Sequence, residues 1–245
     1  ITSGVQELAE GLNSMTCRLK ILRLQGCGLT AEICRYLSQC LISLLELNLS
    51  NNSLKDAGFK IICEGMYAWC SLQKLNVSRC GITGAGCRYL AKVLCSISQL
   101  TDGGMGVGEW QAVELIDLDL SMNHIGDKGV KEISPSLMNP LSHLKTLNLS
   151  YCSLTDSCCA ELASGLMSKA NILSKLDLSH NNLQDKGAKK LCIGLQSPHC
   201  KLEEVGVGGL GRPGWRSFSA QTLLPNGHTI IFISNIALPQ LNSAV

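Results

Sequence analysis

The hexapeptide GVGGLG at 206–211 has the glycine spacing that lets a turn close over a dinucleotide pyrophosphate, and it follows a strand-like stretch. That chemistry needs a helix to begin at the last glycine, so that free amides and the helix dipole meet the phosphates. Arg212-Pro213-Gly214-Trp215 follows instead, so no cofactor is expected. The five histidines offer no better start. His124 and His180 stand beside Asn residues in turns, His143 and His199 precede strand-like stretches, and none meets a second His or Cys at helical spacing. No metal site and no Ser–His–acid set is expected. The adjacent Cys158 and Cys159 could support redox chemistry, but Cys158 falls where Gly58 and Gly129 fall in related segments. Packing is the simpler role, and no enzyme is expected.

The balance of the composition agrees. A net charge of +2 gives no pull toward nucleic acid or an anionic membrane. Fourteen cysteines would suit a disulfide scaffold, yet Cys34, Cys87, Cys158 and Cys192 occupy apolar positions of a periodic pattern, and no C-x-x-C occurs. Buried free Cys behaves as a small hydrophobe. Reduced thiols and a cytoplasmic address are therefore expected. The apolar stretch Thr229 to Leu238 is about half as long as a membrane helix requires. Sequons at Asn48, Asn51, Asn76 and Asn148 are by-products of a recurring N-L-S string.

What could position functional side chains is a repeat. LKTLNLSYCSL at 144–154 returns as LSKLDLSHNNL at 173–183, and the frame L-x-x-L-x-L-x-x-N/C-x-L starts at Leu19, Leu44, Leu72, Leu115, Leu144 and Leu173. Its ninth residue runs Cys27, Asn52, Cys80, Asn123, Cys152, Asn181, a strict alternation of two unit types. L-x-L is a short strand with leucines inward. The Asn amide is expected to satisfy backbone groups in the turn, and the Cys to fill a small apolar gap with a weak donor. A helix follows, as in DKGAKKLCIGL (185–195), where Leu191 and Leu195 share a face. Asp56, Asp127, Thr155 and Asp185 are expected as N-caps. Strand plus helix per unit predicts an α/β leucine-rich-repeat solenoid, a horseshoe with parallel strands on the concave side and helices on the convex side.

Two spacings depart from the period. Leu19 to Leu44 is short, and Leu72 to Leu115 carries an excess that maps to the glycine-rich insert Gln99 to Val113, read as a bulging loop. Pro135 should kink or shorten the helix of the fourth unit. Thr2 to Leu19 aligns with Asp185 to Leu202, so the sequence begins inside a unit and an upstream segment is expected. At the other end Leu202, Val205 and Val207 keep the frame and Leu210 breaks it. The repeat domain is thus placed at 1–210, with a partial first unit, six full strand signatures and a decaying seventh. An aperiodic tail occupies 211–245, in which TIIFI (229–233) either covers the last layer or never packs.

A protein partner would meet the outward strand positions. These include Arg23, Gln25, Glu46, Asn48, Lys74, Asn76, Asp117, Asp119, Asn148, Lys175 and Asp177, with an acidic spot at Asp117/Asp119. Aromatic anchors are missing from that row, which points to the helices, to Trp110 in the insert or to Trp215 in the tail as further contact points.

The strings LNLSYCSLTD, LDLSHNNLQDKGAKKL and QSPHCKLEE resemble the ribonuclease-inhibitor class of leucine-rich repeat. GLQSPHCKLEE and LSNNSLKDAG resemble most the C-terminal repeats of vertebrate NOD-like receptors, the NACHT-and-LRR proteins, over about residues 1–207. The resemblance implies a cytosolic innate immune sensor with an upstream nucleotide-binding domain. No G-x-x-x-x-G-K-[ST] occurs in this chain, so the nucleotide switch is not in it. The rival reading is a free-standing inhibitor of a basic enzyme, which would call for a strongly acidic concave face. Arg23, Lys74 and Lys175 offset the acidic residues here.

Overall fold

A computed structural model describes residues 2–12, 18–66, 70–95, 113–208, 218–223 and 229–234. Helices α1 (Thr2–Leu12), α2 (Ala31–Gln39), α3 (Lys55–Met66), α4 (Gly84–Cys95), α5 (Gly126–Ile133), α6 (Cys159–Met167) and α7 (Gln184–Leu195) alternate with three-residue strands. The strands are β1 (Ile21–Arg23), β2 (Glu46–Asn48), β3 (Lys74–Asn76), β4 (Asp117–Asp119), β5 (Thr146–Asn148), β6 (Lys175–Asp177) and β7 (Glu204–Gly206). All seven pair in parallel and in chain order. Leu22, Leu47, Leu75, Leu118, Leu147, Leu176 and Val205 stand opposite one another at the middle of each strand and are buried. They form the apolar spine that the repeated L-x-L demands.

The irregular spacings leave the sheet intact. The short first return is met by a nine-residue α2, against twelve residues in α3, α4 and α7. Across the long return, Lys74 still pairs with Asp117 and Asn76 with Asp119. The insert itself lies outside the described residues except for Val113, which is buried. Pro135 acts as expected: α5 stops at Ile133 and a 3-10 turn runs from Ser134 to Met138. Two further strands, β8 (Phe218–Leu223) and β9 (Thr229–Ser234), extend the sheet. β9 runs parallel to β7 through Val205 and Phe232, and β8 pairs antiparallel with β9.

Each turn after a strand contains a residue at positive φ: Gly26, Asn51, Arg79, Met122, Tyr151 and His180. A second left-handed residue follows, and its place depends on unit type. Units with Cys have Gly28, Gly81 and Ser153 directly after the cysteine, whereas units with Asn have Lys55, Gly126 and Gln184 two residues later than that register.

The alternation itself has a hydrogen-bonding cause. Asn123 Oδ1 accepts from Cys80 N and Ile82 N, both at 3.0 Å, in the preceding unit. Its amide donates back to Val77 O and to Leu120 O in its own turn, each at 2.9 Å. Asn181 does the same for Cys152 N, Leu154 N and Leu149 O, and Asn52 for Leu29 N and Leu24 O. In Cys units the thiol donates to the matching carbonyl of the unit before, Cys80 to Leu49 O at 3.1 Å and Cys152 to Leu120 O at 3.3 Å. One ladder of side-chain donors therefore runs along the array, with Asn and Cys as alternate rungs. Cys27, in the first described strand unit, is exposed and bonds only within its own turn, to Gln25 O at 3.6 Å. The expected gap-filling role fails there because no described strand layer precedes it.

On the helical side, the sulfurs of Cys34, Cys87 and Cys159 each face a glycine of the next helix. A Cβ on Gly58 or Gly129 would lie 3.0 Å from the Cys34 or Cys87 sulfur, and one on Gly187 would lie 2.8 Å from that of Cys159. The expected N-caps are corrected. Asp56, Asp127 and Asp185 lie inside α3, α5 and α7, past the cap position. Asp56 instead reaches the next unit, accepting from Thr83 N at 2.8 Å and Thr83 Oγ1 at 2.6 Å. Asp127 accepts from Thr155 N at 2.8 Å and Thr155 Oγ1 at 2.5 Å. Thr83 and Thr155 then accept from Ala85 N and Ser157 N at the starts of the following helical turns.

Candidate interaction surface

The concave sheet presents two outward rows. The third position of each strand runs Arg23, Asn48, Asn76, Asp119, Asn148, Asp177 and Gly206. Five of these side chains close the turn that ends their own strand. Asn48, Asn76, Asp119, Asn148 and Asp177 each use Oδ1 to accept the backbone N–H two residues on, at 2.8–3.0 Å. Short polar side chains favour this local bond, and it explains why only Asn and Asp fill the site between Arg23 and Gly206. As contact residues they are half committed. Asn76 also donates to Asp119 Oδ2 at 3.2 Å. Gly206 makes room for its neighbour, since a Cβ there would sit 2.5 Å from Asp177 Oδ1.

The first strand position carries charges in register, Glu46, Lys74, Asp117, Lys175 and Glu204, interrupted by Thr146. Their signs largely cancel between neighbours. Arg23 pairs with Glu46 at 2.8 Å and Lys175 with Glu204 at 2.9 Å, both at the surface, where solvent screening leaves such pairs little net effect. Partial burial pushes the Asp117 carboxyl up, against the opposing pull of Lys74. Lys175 is held above its usual range, first by its hydrogen bond to Glu204. Gln25, one residue before the Gly26 turn, is exposed.

The feature that sequence reasoning missed lies at the edge of this face. Tyr151 and His180, both at positive φ in successive turns, stack with ring centroids 4.0 Å apart and planes 9° from parallel. Both are exposed, as is Met122 at the same register. The signal was present: Met, Tyr and His recur at the residue after L-x-L-S in the last three full units. Spacing alone does not distinguish these residues from the Gly, Asn and Arg that fill the same place in the earlier units. Trp110 and Trp215 lie outside the described residues.

Nothing in the described residues gathers catalytic groups. No set of three His, Cys, Asp or Glu side chains is arranged to hold a metal, and no helix is long and apolar enough to cross a membrane. The thirteen described cysteines are free thiols. Cys158 and Cys159 are buried and approach Thr155 O at 3.2 and 3.9 Å. The hydrogen bond between the two thiols pushes Cys158 up and Cys159 down, and the Cys159 sulfur serves as the packing partner of Gly187. Of the glycine hexapeptide, Gly206 ends β7 and residues 209–211 lie outside the described set.

Comparison with known proteins agrees with the architecture. A leucine-rich-repeat family model matches residues 41–63, 70–91, 115–134, 141–163 and 170–192. The human NACHT, LRR and PYD domains-containing protein 14 is 38% identical over 61% of this chain, which spans 13% of that protein. The ribonuclease inhibitor of Sus scrofa is 35% identical over 61% of this chain, which spans 43% of the inhibitor. Among solved structures, leiomodin-1 actin-binding site 2 aligns over 80% of this chain and 90% of its own, with 15% identity and a TM-score of 0.44. With five matched units, an in-order parallel sheet and alternating Asn and Cys turns, the chain is a leucine-rich-repeat protein, homologous to ribonuclease inhibitor and to the NACHT, LRR and PYD domain proteins.

Proposed function

We propose that this array is a non-enzymatic protein-interaction module, the leucine-rich-repeat portion of a cytoplasmic NOD-like innate immune receptor. In that setting it senses a ligand or restrains an upstream nucleotide-binding domain through protein contacts. The observation that carries the reading against its rival is the cancellation of charge on the concave row, where Arg23–Glu46 and Lys175–Glu204 are paired at 2.8 and 2.9 Å. An inhibitor of a basic enzyme steers its target with a field of one sign, and this row offers none over its length. The likeness to the Sus scrofa ribonuclease inhibitor, 35% identical, keeps the inhibitor as the second reading.

The test is a pair of titrations with the purified chain. One measures binding to a NACHT domain of the related receptor proteins, and the other measures inhibition of a pancreatic-type ribonuclease across salt concentrations. Capture of the NACHT domain without ribonuclease inhibition is expected. Tight inhibition that weakens steeply with salt would replace the receptor reading with the inhibitor one.

A further inference from the structure

The Tyr151–His180 stack stands in a place where the fold gains nothing from aromatic rings. The register needs a left-handed residue: the first two units supply it with Gly26 and Asn51, which adopt that conformation at low cost, and the next two with Arg79 and Met122. Tyr151 and His180 hold it at φ 53 and 58, a conformation that costs bulky side chains on the order of 1–3 kcal/mol. The backbone keeps them there. Tyr151 N donates to Ser179 O at 3.1 Å, and His180 N donates to Gly208 O. The rings are not buried in exchange, since Tyr151 is 39% exposed and Met122 beside it 50%. Strain combined with exposed rings marks a contact surface rather than a stabilising one.

The surroundings define the partner chemistry. Asp177, the last residue of β6, stands three residues before His180, and Asp119, the last residue of β4, stands three before Met122. Neither carboxylate has an ion pair among the described residues, while the nearby Lys175 is taken by Glu204. An exposed tyrosine face in turns whose strands end in Asp119 and Asp177, charges held by turn amides but paired with no cation among the described residues, favours a cation, and a flat ring favours a flat one. We infer that the Tyr151–His180 stack forms a docking platform for an arginine side chain of a protein partner, with the guanidinium on the outer face of the Tyr151 ring and drawn there by the charges of Asp177 and Asp119. The inference rests on the reading of the array as a protein-interaction module and adds an aromatic anchor to two of the turn-closing residues, Asp119 and Asp177.

The experiment uses the purified chain and three synthetic peptides: Gly-Ser-Arg-Gly-Arg-Ser-Gly and its Lys-for-Arg and Glu-for-Arg counterparts. Ring proton resonances of Tyr151 and His180 are followed by NMR during titration. The Arg peptide is expected to shift both sets saturably and about threefold more tightly than the Lys peptide, the preference a stacked guanidinium should have over an ammonium. The Glu peptide should not bind. Tyr151→Gly and Asp177→Asn are each expected to weaken the Arg peptide several-fold. Tyr151→Gly should keep or raise Tm, because glycine relieves the left-handed strain. Asp177→Asn should keep its turn, as Asn48 and Asn148 do. Equal shifts from all three peptides, no shift from any, or a marked fall in Tm for Tyr151→Gly would overturn the platform. Peptide failure with retained NACHT capture would remove the platform alone, whereas loss of both would remove the module reading as well.

Discussion

Asn123 Oδ1 lies 3.0 Å from Cys80 N and 3.0 Å from Ile82 N, two amides more than forty residues earlier in the chain. Asn123 is 1% exposed, so both amides and three carbonyls depend on one side chain for partners. Asn123→Ala leaves several buried groups unpaired, each costing about 1–3 kcal/mol. A loss of more than 3 kcal/mol is expected by urea denaturation. Asn123→Cys should recover part of it, since a thiol can still donate to Val77 O but cannot accept from two amides.

The inside and outside of the strands differ sharply. Leu147 is 1% exposed in the spine, and Leu147→Ala is expected to cost about 2–5 kcal/mol. Ser150 is also nearly buried, but its hydroxyl donates only to Asn148 Oδ1, at 2.8 Å. Ser150→Ala should cost about 1 kcal/mol. Parallel chemical denaturation of the two variants checks the ratio.

The cysteine–glycine contacts predict coupling. A Cβ on Gly187 would meet the Cys159 sulfur at 2.8 Å and Asp156 Cα at 3.0 Å. Gly187→Ala should therefore destabilise by about 1–3 kcal/mol. Combined with Cys159→Ala it should cost less than the sum of the single changes, by at least about 0.5 kcal/mol in a double-mutant cycle.

Burial pushes Cys80 up to about 11 and Cys34, Cys87 and Cys152 each up to about 12. Their ordinary value is 9.0, so between pH 9 and 11 the unfolded chain loses thiol protons that the folded chain keeps. Folded pKa values raised above the unfolded ones mean stability is fully present below pH 9 and falls as pH rises. The slope is about 1.4 kcal/mol per pH unit for each such thiol. Tm measured from pH 8 to 11 should drop steeply above 9. At pH 8, iodoacetamide should label Cys27, which is exposed, before any of these four, as read by peptide mass spectrometry.

Much of the architecture was legible because it is written in periodic apolar positions. The leucine frame fixed the strands, their inward residues and the helical side, and Pro135 marked the end of α5. The roles of polar residues were harder to read. Asp56 and Asp127 looked like caps because Asp near a helix start usually is one; that they bridge to Thr83 and Thr155 depends on how closely the next unit packs. The outward Asn and Asp residues looked available because alternation reveals which face a side chain is on, not whether a local backbone amide claims it. Tyr151 and His180 were separable in sequence, and only the stacking of units brings the rings together.

The two-letter grammar of the turns has a consequence for how such a chain can change length. An Asn rung requires before it a turn whose amides point back to be accepted, and that turn is built with a left-handed Gly or Ser after Cys. Removing one unit would set two like turns side by side and break the ladder at the junction, whereas removing a Cys–Asn pair would leave the sequence of rungs unchanged. Deleting a Cys–Asn pair of units is therefore expected to disturb the array less than deleting one unit.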